Sequence, residues 1–299
     1  MTEMFAALRG HVAAVRERLE ETVVGQIWKR MVEIEFVDRS VALAGKAFVS
    51  FFPLIIVVAA FLPTNIRDSI FTTLTHWFGL EGGALSTTKR AFASSDQIRT
   101  ATGTLGLVLT IFYATSFTTA LQRVYLRSWR RPTGRPGGAY LRAPAWFLVL
   151  LACMALLGSL RDLLGEGPGI VLFAVVTLVA TSALWWFTGW LMLMGQVRWR
   201  VLLPSAVLTA LATDLYAVSA RIWMPGVVTR NFEQFGFFGI ALGLVTWFSG
   251  TAVCIVLGTC AGAVLAGDAG RTGQRIRGAE PSLLVDGAPS AVPASKGAS

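Results

Sequence analysis

Two ionisable side chains sit inside long apolar runs of this 299-residue chain: Lys46 in ALAGKAFVSFFPLI (42–55) and Asp214 in VLLPSAVLTALATDLYAVSARIW (201–223). A charge near the middle of a bilayer costs at least ~2.5–3.5 kcal/mol, so such residues mark pathways, counter-ions, or side chains that reach water. Lys46 fits the last case. It lies about 8 Å into its run if the run is helical, and its stem is long enough to carry the ammonium to the headgroups. Asp214 does not fit it. It stands on the order of 20 Å along the helix from Arg200, and its side chain is too short to snorkel. It shares a helical stripe with Ala206, Ala210, Ala217 and Arg221. Small residues mark a face packed on other helices, so Asp214 is expected to face the bundle interior or a wet cavity. Two roles stay open for it, a structural hydrogen-bonded group and a pathway residue. A direct Lys46–Asp214 pair needs a tilt or a water chain, because the two differ by roughly 12 Å in depth.

Softer polar groups surround these two. Ser50 and Pro53 share the helical face of Lys46. Pro53 leaves the Val49 carbonyl without its helical donor, which predicts a polar notch lined by Ser50. Thr115, Thr118, Thr119 and Gln122 form a stripe near the end of the second apolar run. Ordinary interhelical hydrogen bonding accounts for that stripe; with Lys46, Ser50, Pro53 and Asp214, Thr115, Thr119 and Gln122 are also candidates for lining a polar cavity. Gly239, Gly243, Thr246, Gly250, Cys254 and Gly258 follow one another at spacings of three or four. Such a seam permits close helix packing, within a bundle or between subunits.

Other chemistry is thinly represented. Cys153, Cys254 and Cys260 lie in apolar runs, with no CxxC pair and no neighbouring histidine, so they read as buried thiols rather than disulfides or zinc ligands. The two histidines, His11 and His76, are far apart in the chain. No Walker loop, HExxH or GxSxG occurs, and no carboxylates pair as acid and base. The expectation is a non-enzymatic protein without metal or cofactor.

The elements that must position these residues are membrane spans. Hydrophobic residues make up 54% of the chain and charged ones 14%, against about 25% charged in soluble domains. A span needs roughly 20 mostly apolar residues, and six segments qualify: Val41–Leu62, Gly103–Leu121, about Ala143–Leu160, Gly169–Met194, Val201–Trp223, and a stretch within Gly236–Leu265. Among the 26 Lys and Arg, only Arg67, Lys89, Arg90, Arg99, Arg161 and Arg230 fall in the loops of one side; Lys46 and Arg221 are inside spans and the rest lie opposite. The positive-inside rule then places both termini in the cytoplasm. The net charge of +9 faces anionic headgroups, and nucleic-acid binding is not expected. Phe5, Leu8, Val12, Val15 and Leu19 make an amphipathic stripe in segment 1–40. The 63–102 loop is expected to fold as a short helical cap, and the Gly/Ala/Pro/Ser-rich tail 267–299 to be disordered.

Several motifs occur in a telling order: Ala42-Leu43-Ala44 with Ser50 and Phe52-Pro53; GTLGLVLTIFYATSFTTALQRVYLRSW with Leu121-Gln122-Arg123 and Trp129; Leu203-Pro204-Ser205; and FGFFGIALGLVTW. In this the chain resembles the YihY/BrkB family (virulence factor BrkB) over roughly residues 30–266. It departs from the family at Lys46, where an aromatic is common, at Leu126, where an asparagine is common, and at GTCAGA (258–263), which replaces a GAELNA-like stretch. The resemblance implies a six-span protein of the bacterial plasma (inner) membrane, in a family linked to serum resistance and to envelope or lipid transport. The label ribonuclease BN has also been attached to this family. The basic loop between spans two and three has neither a carboxylate cluster for a catalytic metal nor aromatics arranged for base stacking, so no nuclease is expected.

The reading is therefore an all-α membrane protein, a six-transmembrane-helix bundle with cytoplasmic N- and C-termini. Residues 1–40 form a cytoplasmic amphipathic segment, 41–266 the membrane domain and 267–299 a tail. The expected function is transport or flipping of a lipid or envelope-related substrate. The alternative is a non-catalytic scaffold, with a lipid-acting enzyme as a minor alternative. Expected partners are the bilayer, its anionic cytoplasmic headgroups and a lipid substrate, and a homo-oligomer stays open.

Overall fold

The computed structural model describes residues 22–61, 95–132, 139–164, 169–268 and 271–277. The amphipathic stripe of residues 5–19, the external cap within 63–94 and the tail beyond Arg277 lie outside the described residues. All regular structure among the described residues is helical: α1 (Val23–Glu33), α2 (Phe36–Phe61), α3 (Ser95–Ser128), α4 (Ala139–Leu164), α5 (Gly169–Met192), a 3₁₀ turn (Trp199–Leu202), α6 (Leu203–Phe235), α7 (Phe237–Gly267) and α8 (Arg271–Arg277).

Local chemistry sets these boundaries. Thr22 caps α1 by accepting the Gly25 amide at 3.2 Å, satisfying a donor that has no partner in the first turn. Pro204 stands in the first turn of α6, where its missing N–H costs nothing. Gly236 separates α6 from α7 at φ +59°, ψ −135°, a conformation that only glycine adopts without strain. Helix α6 continues well past the expected end at Trp223 and passes through Pro225. The carbonyl that Pro225 deprives of a donor belongs to Arg221, which is exposed and can find another partner.

Among the described residues, four helical stretches are long and apolar enough to cross a membrane: Leu141–Arg161, Gly169–Met192, Trp199–Phe235 and Phe238–Gly267. The most apolar window, within Gly169–Met192, has a mean hydropathy of 2.2 but is only 17% buried inside the protein. Val171, Val175 and Val179 project outward from it. A helix that is apolar all round and faces outward needs hydrocarbon as its solvent. Helices α2 and α3 run through the first two apolar segments of the sequence.

The tightest packing joins α6 to α7 as an antiparallel hairpin. A Cβ added at Gly262 would stand 2.2 Å from Ser205 Cα, and one at Gly258 2.6 Å from Thr209 Cα. Further along, Gly250 lies against the Tyr216 ring, Gly243 against Val228, and Gly239 against the Asn231 carbonyl. The glycine seam is thus used inside the bundle. Helices of 33 and 31 residues measure about 50 and 46 Å, longer than a ~30 Å hydrocarbon core. At one end of the bundle Leu43, Leu121, Tyr125, Trp129, Leu193, Leu202 and Cys260 are almost fully buried. A smaller core of Ala220, Met224, Val228, Leu244 and Trp247 occupies the far half of the hairpin. Helix α8 lies in the stretch read as tail, and its Ile276 packs partly buried against the main core.

Candidate functional site

Between these cores lies a cavity of about 230 Å³, lined by all six long helices. Its walls are largely apolar and aromatic. Phe51 from α2 meets Phe248 from α7 at 5.4 Å between ring centroids, and Phe117 from α3 meets Trp146 from α4 at 5.4 Å. Phe147, Trp185 and Trp247 complete the aromatic lining. Trp146 donates its indole N–H to Thr188 Oγ1 at 2.9 Å, so this polar tip is satisfied outside the cavity.

The polar lining consists of Ser50, Thr181, Thr213, Asp214 and Thr251. Three of the hydroxyls donate to carbonyls of their own helices: Ser50 to Ala47 at 3.0 Å, Thr213 to Thr209 at 2.8 Å and Thr251 to Trp247 at 3.0 Å. Each keeps acceptor lone pairs for a guest. Thr181 differs. Its Oγ1 is 2.8 Å from Asp214 Oδ2 and 2.8 Å from the Thr177 carbonyl. Asp214 is half-buried on the face that Ala206 and Ala210 bury, whereas Arg221, assigned to the same stripe, is exposed. The stripe turns away because spacings of four and three only approximate 3.6 residues per turn.

Of the residues expected to line a polar cavity, Ser50 and Asp214 do so. Lys46, Pro53, Thr115, Thr119 and Gln122 stand outside its lining. Thr115 donates to the Ile111 carbonyl at 2.7 Å and Thr119 to the Thr115 carbonyl at 2.7 Å, and Thr118 likewise bonds within its helix. Gln122 reaches across from α3 and donates to the Met192 carbonyl at 3.2 Å, closing the end of α5. Lys46 is half-buried where the charge of Arg123 acts on it, and Asp214 takes Thr181 as its partner instead. Sequence reasoning missed Thr181 and the aromatic wall. Thr181 is one of four hydroxyls, with Thr177, Ser182 and Thr188, in an otherwise apolar helix, and one tryptophan in an apolar run looks like any other.

A second group of charges joins α1 to the end of α3. Arg130 pairs with Glu33 at 2.9 Å, and Glu35 accepts from Arg39 and from Arg127 at 3.1 Å. The Glu35 carboxyl is held below its ordinary range, first by the Arg39 hydrogen bond and then by the charges of Arg39 and Arg127. Glu35 and Arg130 both adopt positive φ, at 59° and 47°.

Outward apolar helix faces around an internal cavity define an α-helical membrane protein. The family described as Virulence factor BrkB matches residues 27–280, and the chain belongs to it. Comparison with curated proteins and with solved structures yields no match. The family match takes in the latter part of α1 and all of α8, beyond the limits 41–266 expected for the membrane domain.

Proposed function

We propose that this BrkB-family protein is a six-span protein of the bacterial plasma membrane, with both termini inside, that moves a lipid or other envelope-related amphiphile through its central cavity. The observation that carries this reading is Asp214, a half-buried carboxylate bonded to Thr181 in a largely apolar, aromatic cavity. A buried charge whose only role was to hold helices together would gain little over an apolar residue. Facing a cavity, the same charge can recognise a guest. The reading is non-enzymatic: among the described residues lining the cavity, the one hydroxyl bonded to a carboxylate is Thr181, and no third group orients Asp214 as a base. In proteoliposomes carrying a fluorescent lipid reporter, Asp214→Asn is expected to reconstitute normally and lose most of the flux. Undiminished flux would remove Asp214 from the mechanism.

A scaffold is the second reading, favoured by α1. Val24, Trp28 and Val32 stand exposed along one side of this helix, and ion pairs tie it to α3. Such a face can lie in the inner headgroup layer or recruit a partner. Deleting residues 1–30 should then abolish partner co-purification while the remaining helices still insert; unchanged recovery of the partner counts against this reading.

A further inference from the structure

We propose that the central cavity binds an amphiphilic ammonium ion, with Asp214 as its counter-ion, in exchange for a proton. This rests on the transport reading above and names its substrate class. Asp214 carries the only formal charge among the described residues lining the cavity. An anionic head would meet a carboxylate and no cation. A phosphate-bearing zwitterion would leave its phosphate without a partner in an apolar wall, at a cost of several kcal/mol. An ammonium head matches the carboxylate, and the surrounding Phe51, Trp185, Trp247 and Phe248 offer aromatic rings that attract cations. The remaining wall suits an alkyl or aryl body. A volume of about 230 Å³ holds on the order of eight water-sized groups at ~30 Å³ each, enough for a head and a short chain.

The hydrogen bonds around Asp214 accommodate both of its protonation states. Thr181 has one hydroxyl hydrogen and two acceptors at equal distance, Asp214 Oδ2 and the Thr177 carbonyl. When the carboxylate is charged, Thr181 donates to it. When the acid is protonated, it donates to Thr181 Oγ1, and the Thr181 hydrogen turns to the Thr177 carbonyl. Neither state leaves a buried donor unpaired. The exchange is then Asp214–COOH plus R–NH₃⁺ giving Asp214–COO⁻ paired with R–NH₃⁺ plus one released proton, and the net charge of the site is unchanged. Of the groups around it, α4 brings the thiol of Cys153, which the charge of Asp214 reaches. α5 brings Thr181, α2 Ser50 and α7 Thr251, all uncharged, while Lys46 of α2 and Arg221 of α6 stand outside the lining.

The test uses the full chain in phosphatidylcholine nanodiscs, with radiolabelled octylamine in equilibrium dialysis and empty discs as background. Saturable octylamine binding is expected, displaced by unlabelled octylamine but not by octanoate and only weakly by 1-octanol. Affinity should rise with pH across the acid range, approaching tenfold per unit, until Asp214 is ionised. Asp214→Asn should lose at least tenfold in affinity together with the pH dependence, and Asp214→Glu should retain both. Equal displacement by octanoate or octanol, or an Asp214→Asn protein with unchanged affinity and pH profile, overturns the proposal. If Asp214→Asn does not fold, the wild-type competition and pH profile decide alone. Octylamine binding without flux upholds the ligand class and defeats the transport reading. Flux of a phospholipid reporter that depends on Asp214, without octylamine binding, does the reverse.

Discussion

At the scale of single residues, Asp214 and Thr181 form the pair on which the cavity's chemistry turns. Thr181→Val removes the donor at 2.8 Å while keeping the side-chain shape. Leaving a buried carboxylate short of a donor costs about 1–3 kcal/mol or more. The variant should therefore melt lower than wild type and lose less flux than Asp214→Asn; a flux loss equal to that of Asp214→Asn would make Thr181 an equal partner in recognition. Glu35 supports a pH prediction. Its folded pKa lies below the ordinary value of 4.5, so its pairing with Arg39 and Arg127 stabilises the docked α1 at higher pH. That contribution fades as the pH falls below about 4.5. Proteolysis near α1 should increase through this window in wild type, and Glu35→Gln should lack that acid-induced step. Because Glu35 is exposed to solvent, high salt should weaken the effect.

At the scale of elements, the α6–α7 hairpin is the most constrained pair. Gly258→Ala would put a methyl 2.6 Å from the Thr209 backbone, forcing the helices apart. Overpacking of this kind typically costs 1–3 kcal/mol, so a clear drop in melting temperature is expected. Gly226→Ala in the same hairpin meets nothing within 4 Å. There the better helix propensity of alanine should leave stability unchanged or raise it by up to about 1 kcal/mol. If the two variants melt alike, the close approach at Gly258 is not what holds the hairpin. The small-residue seam was legible from spacing alone, but its partner was not. Ser205, Thr209 and Tyr216 became that partner only through the antiparallel register that Gly236 permits.

At the scale of the molecule, the proposed orientation rests on where the basic residues lie. Arg198 and Arg230 are both exposed, before and near the end of the long helix α6. In a background lacking the native cysteines, Arg198→Cys should react with a membrane-impermeant maleimide only after the cells are opened, and Arg230→Cys in intact cells. The opposite pattern inverts the topology, and labelling of both from one side means that the intervening segment does not cross. The cavity also belongs to this scale, since six helices distant in sequence line it. Its position explains why Thr115 and Thr119, polar and well spaced, carry no cavity role here: α3 turns Phe117 to the cavity, and residues two positions before and after it lie about 200° around the helix.

The sequence by itself determined the apolar helices, the membrane environment, the BrkB relationship and the presence of an aspartate that needs a reason to be where it is. These follow from local composition and helical period, which are read along one stretch of chain. Only the tertiary structure decided that Thr181, 33 residues away, is the partner of Asp214. It also decided that Gln122 closes α5 from 70 residues away, and that the glycine seam packs inside the subunit. Those outcomes depend on the rotation and axial offset of one helix against another. A few tens of degrees turn a side chain from cavity to lipid, and no pattern within a single helix sets that angle.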